Sequence, residues 1–288
     1  MKNRTVNRLL HADVVDMGGI PVRQPFPTQQ VEQLDPFLLL HHHVTHFPEG
    51  TIPKLAGIAP HPHRGFSPVT FVYKGGVHHR DSRGNDSTVY EGGTQWMNAG
   101  RGIIHSERPP DDIEARGGVQ EIIQLWVNLP KAHKMMQPEY IPLQAEDTPQ
   151  LALEGGKVTV QVVAGQFKNV TGPIKTAIPI LSLRIFMQAG SSCTFPVPER
   201  YQAFLYLLDG EISYEGFGLV QGHQLVVLNT DGDSCTIKAK EDTRILLMAG
   251  QPIGEPMVSH GPYVMNTQTE ILQAMRDYQL GKMGFYTE

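Results

Sequence analysis

QWMNAGRGIIHSE, residues Gln95–Glu107, reads as two short strands joined by a tight turn. Gln95–Met97 and Ile103–Glu107 are the strands, and Asn98-Ala99-Gly100-Arg101-Gly102 is the turn between them. Successive side chains of a strand alternate faces, so His105 and Glu107 point the same way. Upstream, His61-Pro62-His63 repeats that spacing. If both segments line one barrel, three imidazoles and one carboxylate converge, which is a donor set for a first-row divalent metal. An isolated H-x-H says little; a second in-phase pair behind a glycine turn says much more. Pro62 is tolerated only where the ladder needs no N–H, as at an edge or bulge. Arg64 is expected to face away and anchor a neighbouring loop. Gly65 is expected to share the ligand face and leave space beside the metal.

Further strands are predicted at Val69–Tyr73, Glu121–Val127, Val158–Val163, Leu181–Met187, Ala203–Leu208, Gln224–Leu228 and Arg244–Met248. Turn signals such as Lys74-Gly75-Gly76, Arg83-Gly84-Asn85-Asp86 and Asp209-Gly210 separate them. Many short strands between glycine turns indicate an all-β sandwich or barrel, not alternating βα units. Thr267–Gln279 is predicted to be helical, with Ile271, Leu272, Met275 and Tyr278 as its apolar stripe, Thr267 or Thr269 as N-cap and Gly281 past its end. A shorter helical turn is expected around Lys131–Met136. Pro130–Pro149, with four prolines, reads as a linker between two β-rich halves. The domains are therefore expected at 1–138, holding the metal, and 139–288, ending in the helix.

Nine of the 13 histidines fall between His41 and His105. His41, His42 and His43 are consecutive and cannot all face inward. His46 reads as surface. One of His78 and His79 is expected at the site, as a substrate contact or a support for a ligand. His11, His133, His223 and His260 read as structural.

The chain has 288 residues, 40% of them hydrophobic, and a net charge of -5 without charge runs. This composition suits a globular protein and offers no basic footprint for direct nucleic-acid binding. No 18-residue apolar run exists, so no membrane-spanning helix is predicted. Residues 1–10 lack the apolar region of a secretory signal. Two isolated cysteines, Cys193 and Cys235, suit a reducing compartment. The expected location is the cytoplasm, or also the nucleus in a eukaryote, and the expected state is a monomer.

HPHRGF (His61–Phe66), QWMNAGRGIIHSE (Gln95–Glu107) and QLWVNLP (Gln124–Pro130) resemble the pirin family of the cupin superfamily. KMMQPEY (Lys134–Tyr140) and GEPMVSHGPYVMNT (Gly254–Thr267) extend the resemblance over nearly the whole chain. It implies two jelly-roll cupin β-barrels face to face, with a short linker helix and a C-terminal helix, only the first barrel holding metal. It implies His61, His63, His105 and Glu107 as metal ligands, with Fe(II) the first choice and Ni, Mn, Co, Cu or Zn as alternatives. The general cupin pattern places a Glu four residues after the H-x-H. Ser67 stands there, so Glu107 carries the carboxylate. The implied activity is that of a quercetin 2,3-dioxygenase, in which O₂ opens the central ring of a flavonol with release of carbon monoxide. Glu107 is then the catalytic base, while His79, Phe66 and Trp126 are candidates for substrate binding. Phe71, Trp96 and Ile103 are either further walls or ordinary core. The alternative is a non-enzymatic, iron-dependent interaction protein, a transcriptional co-regulator or a modulator of a metabolic enzyme.

Overall fold

The computed structural model describes residues 1–287. Strands dominate, as the many short segments between glycine turns predict, and they fall into two compact units. One unit combines Met1–Pro36 with Thr148–Pro252; the other combines Phe37–Asp147 with the segment from Ile253 onward. A single cut at 138/139 therefore does not describe them. The change at Asp147/Thr148 falls inside the proline-rich Pro130–Pro149 segment. Glu139–Leu143 stays with the preceding strands because it pairs with Thr94–Asn98, Tyr140 opposite Met97 and Ile141 opposite Trp96.

The unit carrying the histidines contains strands β1 (Phe37–Phe47), β2 (Ile58–His63), β3 (Phe66–Lys74), β4 (Gly76–Asp81), β5 (Asp86–Tyr90), β6 (Thr94–Asn98), β7 (Ile103–Arg108), β8 (Gly118–Asn128) and β9 (Glu139–Leu143). One sheet has the order β2-β7-β4-β5, and a second contains the run β9-β6-β3-β8-β1. Among the first sheet's pairs, His105 lies opposite both His61 and Asp81. A bulge on the β2 side, between His105 and Glu107, shifts Glu107 opposite Ile58. Pairing with β4 stays regular, Glu107 opposite His79, so the two residues keep one face.

Gly65 does not open space beside the metal, as the sequence suggests; it turns the chain from β2 into β3 at φ +87. A Cβ there would lie 2.0 Å from the Val264 carbonyl oxygen. Gly65→Ala should therefore lower stability by at least about 1–3 kcal/mol, the usual cost of a residue held in a sparsely populated backbone region. Thermal unfolding checks this, and an unchanged midpoint would contradict it. Arg64 anchors as expected, donating to the Arg101 carbonyl at 2.7 Å and to Asp277 at 3.0 Å.

Helix α1 (Ile113–Arg116) is a single turn that the sequence does not signal. Lys131–Met136 forms turns and no linker helix. Its buried Lys134 donates to the carbonyls of Gly65 and Val264 and to Asn128 Oδ1, at 2.7, 3.0 and 2.6 Å. Burial lowers that ammonium to about 8. Helix α2 (Gln268–Gln279) starts at Thr267 with a capping box to Glu270, and Gly281 follows its end at φ +71. Its inward face is Ile271, Ala274 and Asp277, whereas Leu272, Met275 and Tyr278 are exposed. The difference from the predicted stripe lies in what this face meets: Ile271 and Ala274 share an apolar cluster with Tyr263, Met265 and Met283, and Asp277 pairs with Arg64.

The other unit has a sheet ordered Val6–His11, Gln224–Leu228, Gln202–Asp209, Thr243–Gly250, Ile180–Met187, Val158–Ala164, Gln150–Leu153. Its second sheet is ordered Ser192–Pro196, Ser234–Ala239, Glu211–Tyr214, Gly218–Gln221. Buried apolar side chains such as Val160, Leu183, Phe195, Leu205, Ile237 and Leu247 fill the interior. Each contributes roughly 1.5–3 kcal/mol by leaving water. Cys193 and Cys235 are free thiols here, and burial raises Cys235 to about 12. Among the described residues, no helix is long and apolar enough to cross a membrane.

Candidate metal centre

Strands β2 and β7 bring His61, His63 and His105 together, with one ring nitrogen of each within 4.8 Å of the others. Among the described residues this is the one such cluster of three. His61 Nε2 lies 2.9 Å from His63 Nε2 and 3.1 Å from His105 Nε2. Nitrogens bound about 2.0–2.1 Å from one ion at right angles would stand about 2.9 Å apart, so the spacing fits a shared metal. His61 Nδ1 is 2.8 Å from the Ala59 carbonyl, which fixes its proton there and leaves Nε2 as a lone-pair donor.

Electrostatics agree with ligation. Burial holds His63 well below its ordinary value, His61 adds to the effect and the Pro262 carbonyl opposes it. Burial does the same to His105, helped by His61, His63 and His79. Both imidazoles are thus neutral at pH 7, as a metal requires.

Glu107 stands on the same strand face but outside the three-histidine cluster. Its Oε1 accepts from Thr70 Oγ1 at 2.9 Å and from Gln95 Nε2, and its Oε2 accepts from Gln124 Nε2 at 2.7 Å. The donors belong to one row across the second sheet, in which Gln95 pairs with Thr70 and Thr70 with Gln124. Trp126 Nε1 donates to Gln124 Oε1 at 3.3 Å, which turns the Gln124 amide nitrogen toward the carboxylate.

Two family models match the chain: Pirin over residues 19–127, and the Pirin C-terminal cupin domain over 182–284. Pirin-like protein 2 of Arabidopsis thaliana is 38% identical over 275 residues, covering 93% of this chain and 81% of its own length. This chain belongs to the pirin family. A crystal structure of quercetin 2,3-dioxygenase from Acinetobacter baumannii superposes with a TM-score of 0.92 at 33% identity, covering 98% of this chain and 99% of that one. A bacterial pirin from Escherichia coli, solved with nickel(II), shares the fold at TM-score 0.67 and 20% identity, covering 85% and 98%. The two units are accordingly cupin domains, and in this pirin the polar cluster belongs to the one that begins at Phe37.

Phe66 and Trp126 both adjoin His63, with ring centroids 5.0 and 5.5 Å away. Phe66 is fully buried behind Trp126, and Trp126 is half-buried. Phe71, Trp96 and Ile103 are fully buried core. His79 has no exposed surface; it lies behind His105, Nδ1 to Nδ1 at 3.4 Å, so it backs that ring and lines no open wall. His78, one residue earlier, faces outward to Asp86 at 2.6 Å. Ser67 donates to Asn98 Oδ1 at 2.6 Å, on the face of β3 opposite Thr70 by alternation, so it lies apart from the residues around Glu107. His46 is exposed and His42 pairs with Glu121 at 3.2 Å.

Sequence reasoning missed Thr70, Gln95, Gln124, Asp81 and Tyr140. The available signal was two glutamines inside otherwise apolar strands, since a buried amide needs partners. His41 lies opposite Gln124 and extends the same row. Burial, reinforced by His43, pushes His41 down to about 4. Between that value and 6.5 the unfolded chain binds a proton that the folded state excludes, so stability rises with pH across this window. Metal-free protein should lose up to about 3 kcal/mol through His41 as pH falls across it, at about 1.4 kcal/mol per unit. Urea denaturation of wild type and His41→Gln from pH 7.5 to 4.5 checks this; equal pH slopes would contradict it.

Proposed function

We propose that this chain is a metal-dependent dioxygenase of the quercetin 2,3-dioxygenase type, using O₂ to open the central ring of a flavonol-like substrate with release of carbon monoxide. The observation that carries the reading is three converging imidazoles beside one hydrogen-bonded carboxylate, in a chain 33% identical to a quercetin 2,3-dioxygenase over nearly its whole length. His61, His63 and His105 would hold the ion, with Glu107 as the acidic ligand and Fe(II) as the preferred metal. When bound, the metal supplies Lewis acidity that lowers the pKa of a hydroxyl oxygen, and redox capacity toward O₂.

The chain's own residues supply the rest. Glu107 accepts the proton of the flavonol 3-hydroxyl group, poised for this by Thr70, Gln95 and Gln124. Those three donors are uncharged, so they orient the carboxylate without neutralising it. Trp126, half-buried beside His63, offers an apolar face to a flat ring system.

The test is anaerobic loading with Fe(II), followed by quercetin and O₂. Stoichiometric O₂ uptake with carbon monoxide release is the expected result. No release with Fe, Ni, Mn, Co or Cu would overturn the dioxygenase reading in favour of a metal-dependent interaction protein. A partner captured differently by the Fe(II) and Fe(III) forms would support that second reading.

A further inference from the structure

Tyr140 reaches two residues of β7, His105 and Glu107, through separate intermediaries. Its ring stacks on His79, centroids 3.7 Å apart and planes 5° from parallel. His79 Nε2 is 3.0 Å from Asp81 Oδ2, and His79 Nδ1 is 3.4 Å from His105 Nδ1. For neutral rings, one proton assignment satisfies both contacts. Asp81 accepts from His79 Nε2–H, so His79 Nδ1 accepts from His105 Nδ1–H, and His105 Nε2 keeps its lone pair on the cluster. Asp81 is itself fixed by the backbone N–H groups of Arg83 and Asn85 at 2.8 and 3.1 Å and by the Asn85 amide at 2.7 Å.

The Tyr140 hydroxyl acts on the other residue. It donates to Gln95 Oε1 at 3.2 Å, and the Ser87 hydroxyl donates to it at 3.4 Å. With its carbonyl oxygen so engaged, Gln95 must present its Nε2 to Glu107 and to Thr70 Oγ1, the latter at 3.2 Å. An inverted amide would set Nε2 against the phenol and Oε1 against a carboxylate.

We propose that Tyr140 is a positioning residue that sets His105 through its ring and Glu107 through its hydroxyl, so that one side chain of β9 aligns both groups of β7 toward the metal. This rests on the reading of the histidine cluster as a metal centre. It also gives β9 a purpose: the ladder with β6 delivers Tyr140 to the site.

The test separates the two actions. Tyr140→Phe keeps the stack and removes the hydroxyl; Tyr140→Leu removes both. Co(II) affinity is measured by chelator competition, with the visible spectrum of the Co(II) protein and the thermal midpoint of the metal-free protein. Tyr140→Phe should weaken Co(II) about 10-fold and Tyr140→Leu up to about 100-fold, the range seen when outer partners of metal ligands are lost. Both should shift the spectrum. In a Gln95→Leu background the hydroxyl has no amide to orient, so the Tyr140→Phe effect should disappear. Wild-type affinity and spectrum in both variants would overturn the inference, as would a Tyr140→Phe effect undiminished by Gln95→Leu. A wild-type protein that takes up no Co(II) would overturn the metal reading, and this inference with it. If Tyr140→Leu fails to fold, Tyr140→Phe and the double variant still decide.

Discussion

His105→Ala should abolish tight metal binding, weakening it well beyond the roughly 10–100-fold expected for loss of an outer partner. His105 is the residue that joins the parts of the centre: its Nε2 lies 3.1 Å from His61 Nε2, and its Nδ1 lies 3.4 Å from His79. Its removal takes away one donor and leaves the buried His79–Asp81 pair without the ring it supports. His46→Ala is the control, because His46 is exposed and lies outside the cluster. Metal content and chelator competition on the two variants check the expectation. Equal binding by both would contradict it.

Glu107→Gln should retain metal but lose most turnover, by at least about 10²-fold, the lower range for removal of a general base. The carboxylate accepts from three donors, and an amide has only one oxygen with which to replace two. Glutamine would therefore set its own N–H group against a donor from Thr70, Gln95 or Gln124, and it could not take the substrate proton. The three histidines remain, so binding should suffer less than catalysis. The measurement is metal content beside the rate of O₂ uptake with quercetin. Full turnover would remove Glu107 from the mechanism.

Strand positions and side-chain phase were legible in the sequence because both are local properties. Alternation over two residues put His61 with His63 and His105 with Glu107, and glycine turns marked where strands end. The bulge opposite Glu107 did not spoil that reading, since it falls on the β2 pairing and leaves β7 in phase with β4. What stayed hidden depends on residues far apart in the chain. Arg64 and Asp277 are 213 residues apart, and their pair lies on the buried face of α2. Thr70 and Glu107 are 37 apart, so no local window shows that a threonine holds the carboxylate. Gly65 was misread for the same reason: the atom that demands a glycine there is the Val264 carbonyl, nearly 200 residues away. The interleaving of the two units follows likewise from pairings such as Val6–His11 with Gln224–Leu228, which composition cannot register.

The histidine cluster is tested most directly by the metal stoichiometry of protein purified without a histidine tag and loaded anaerobically with Fe(II). About one ion per chain is expected, lost as pH falls and the imidazoles protonate, and absent in His105→Ala. Wild-type protein that retains no Fe(II), Ni(II), Co(II), Mn(II), Cu(II) or Zn(II) after desalting at neutral pH would contradict it.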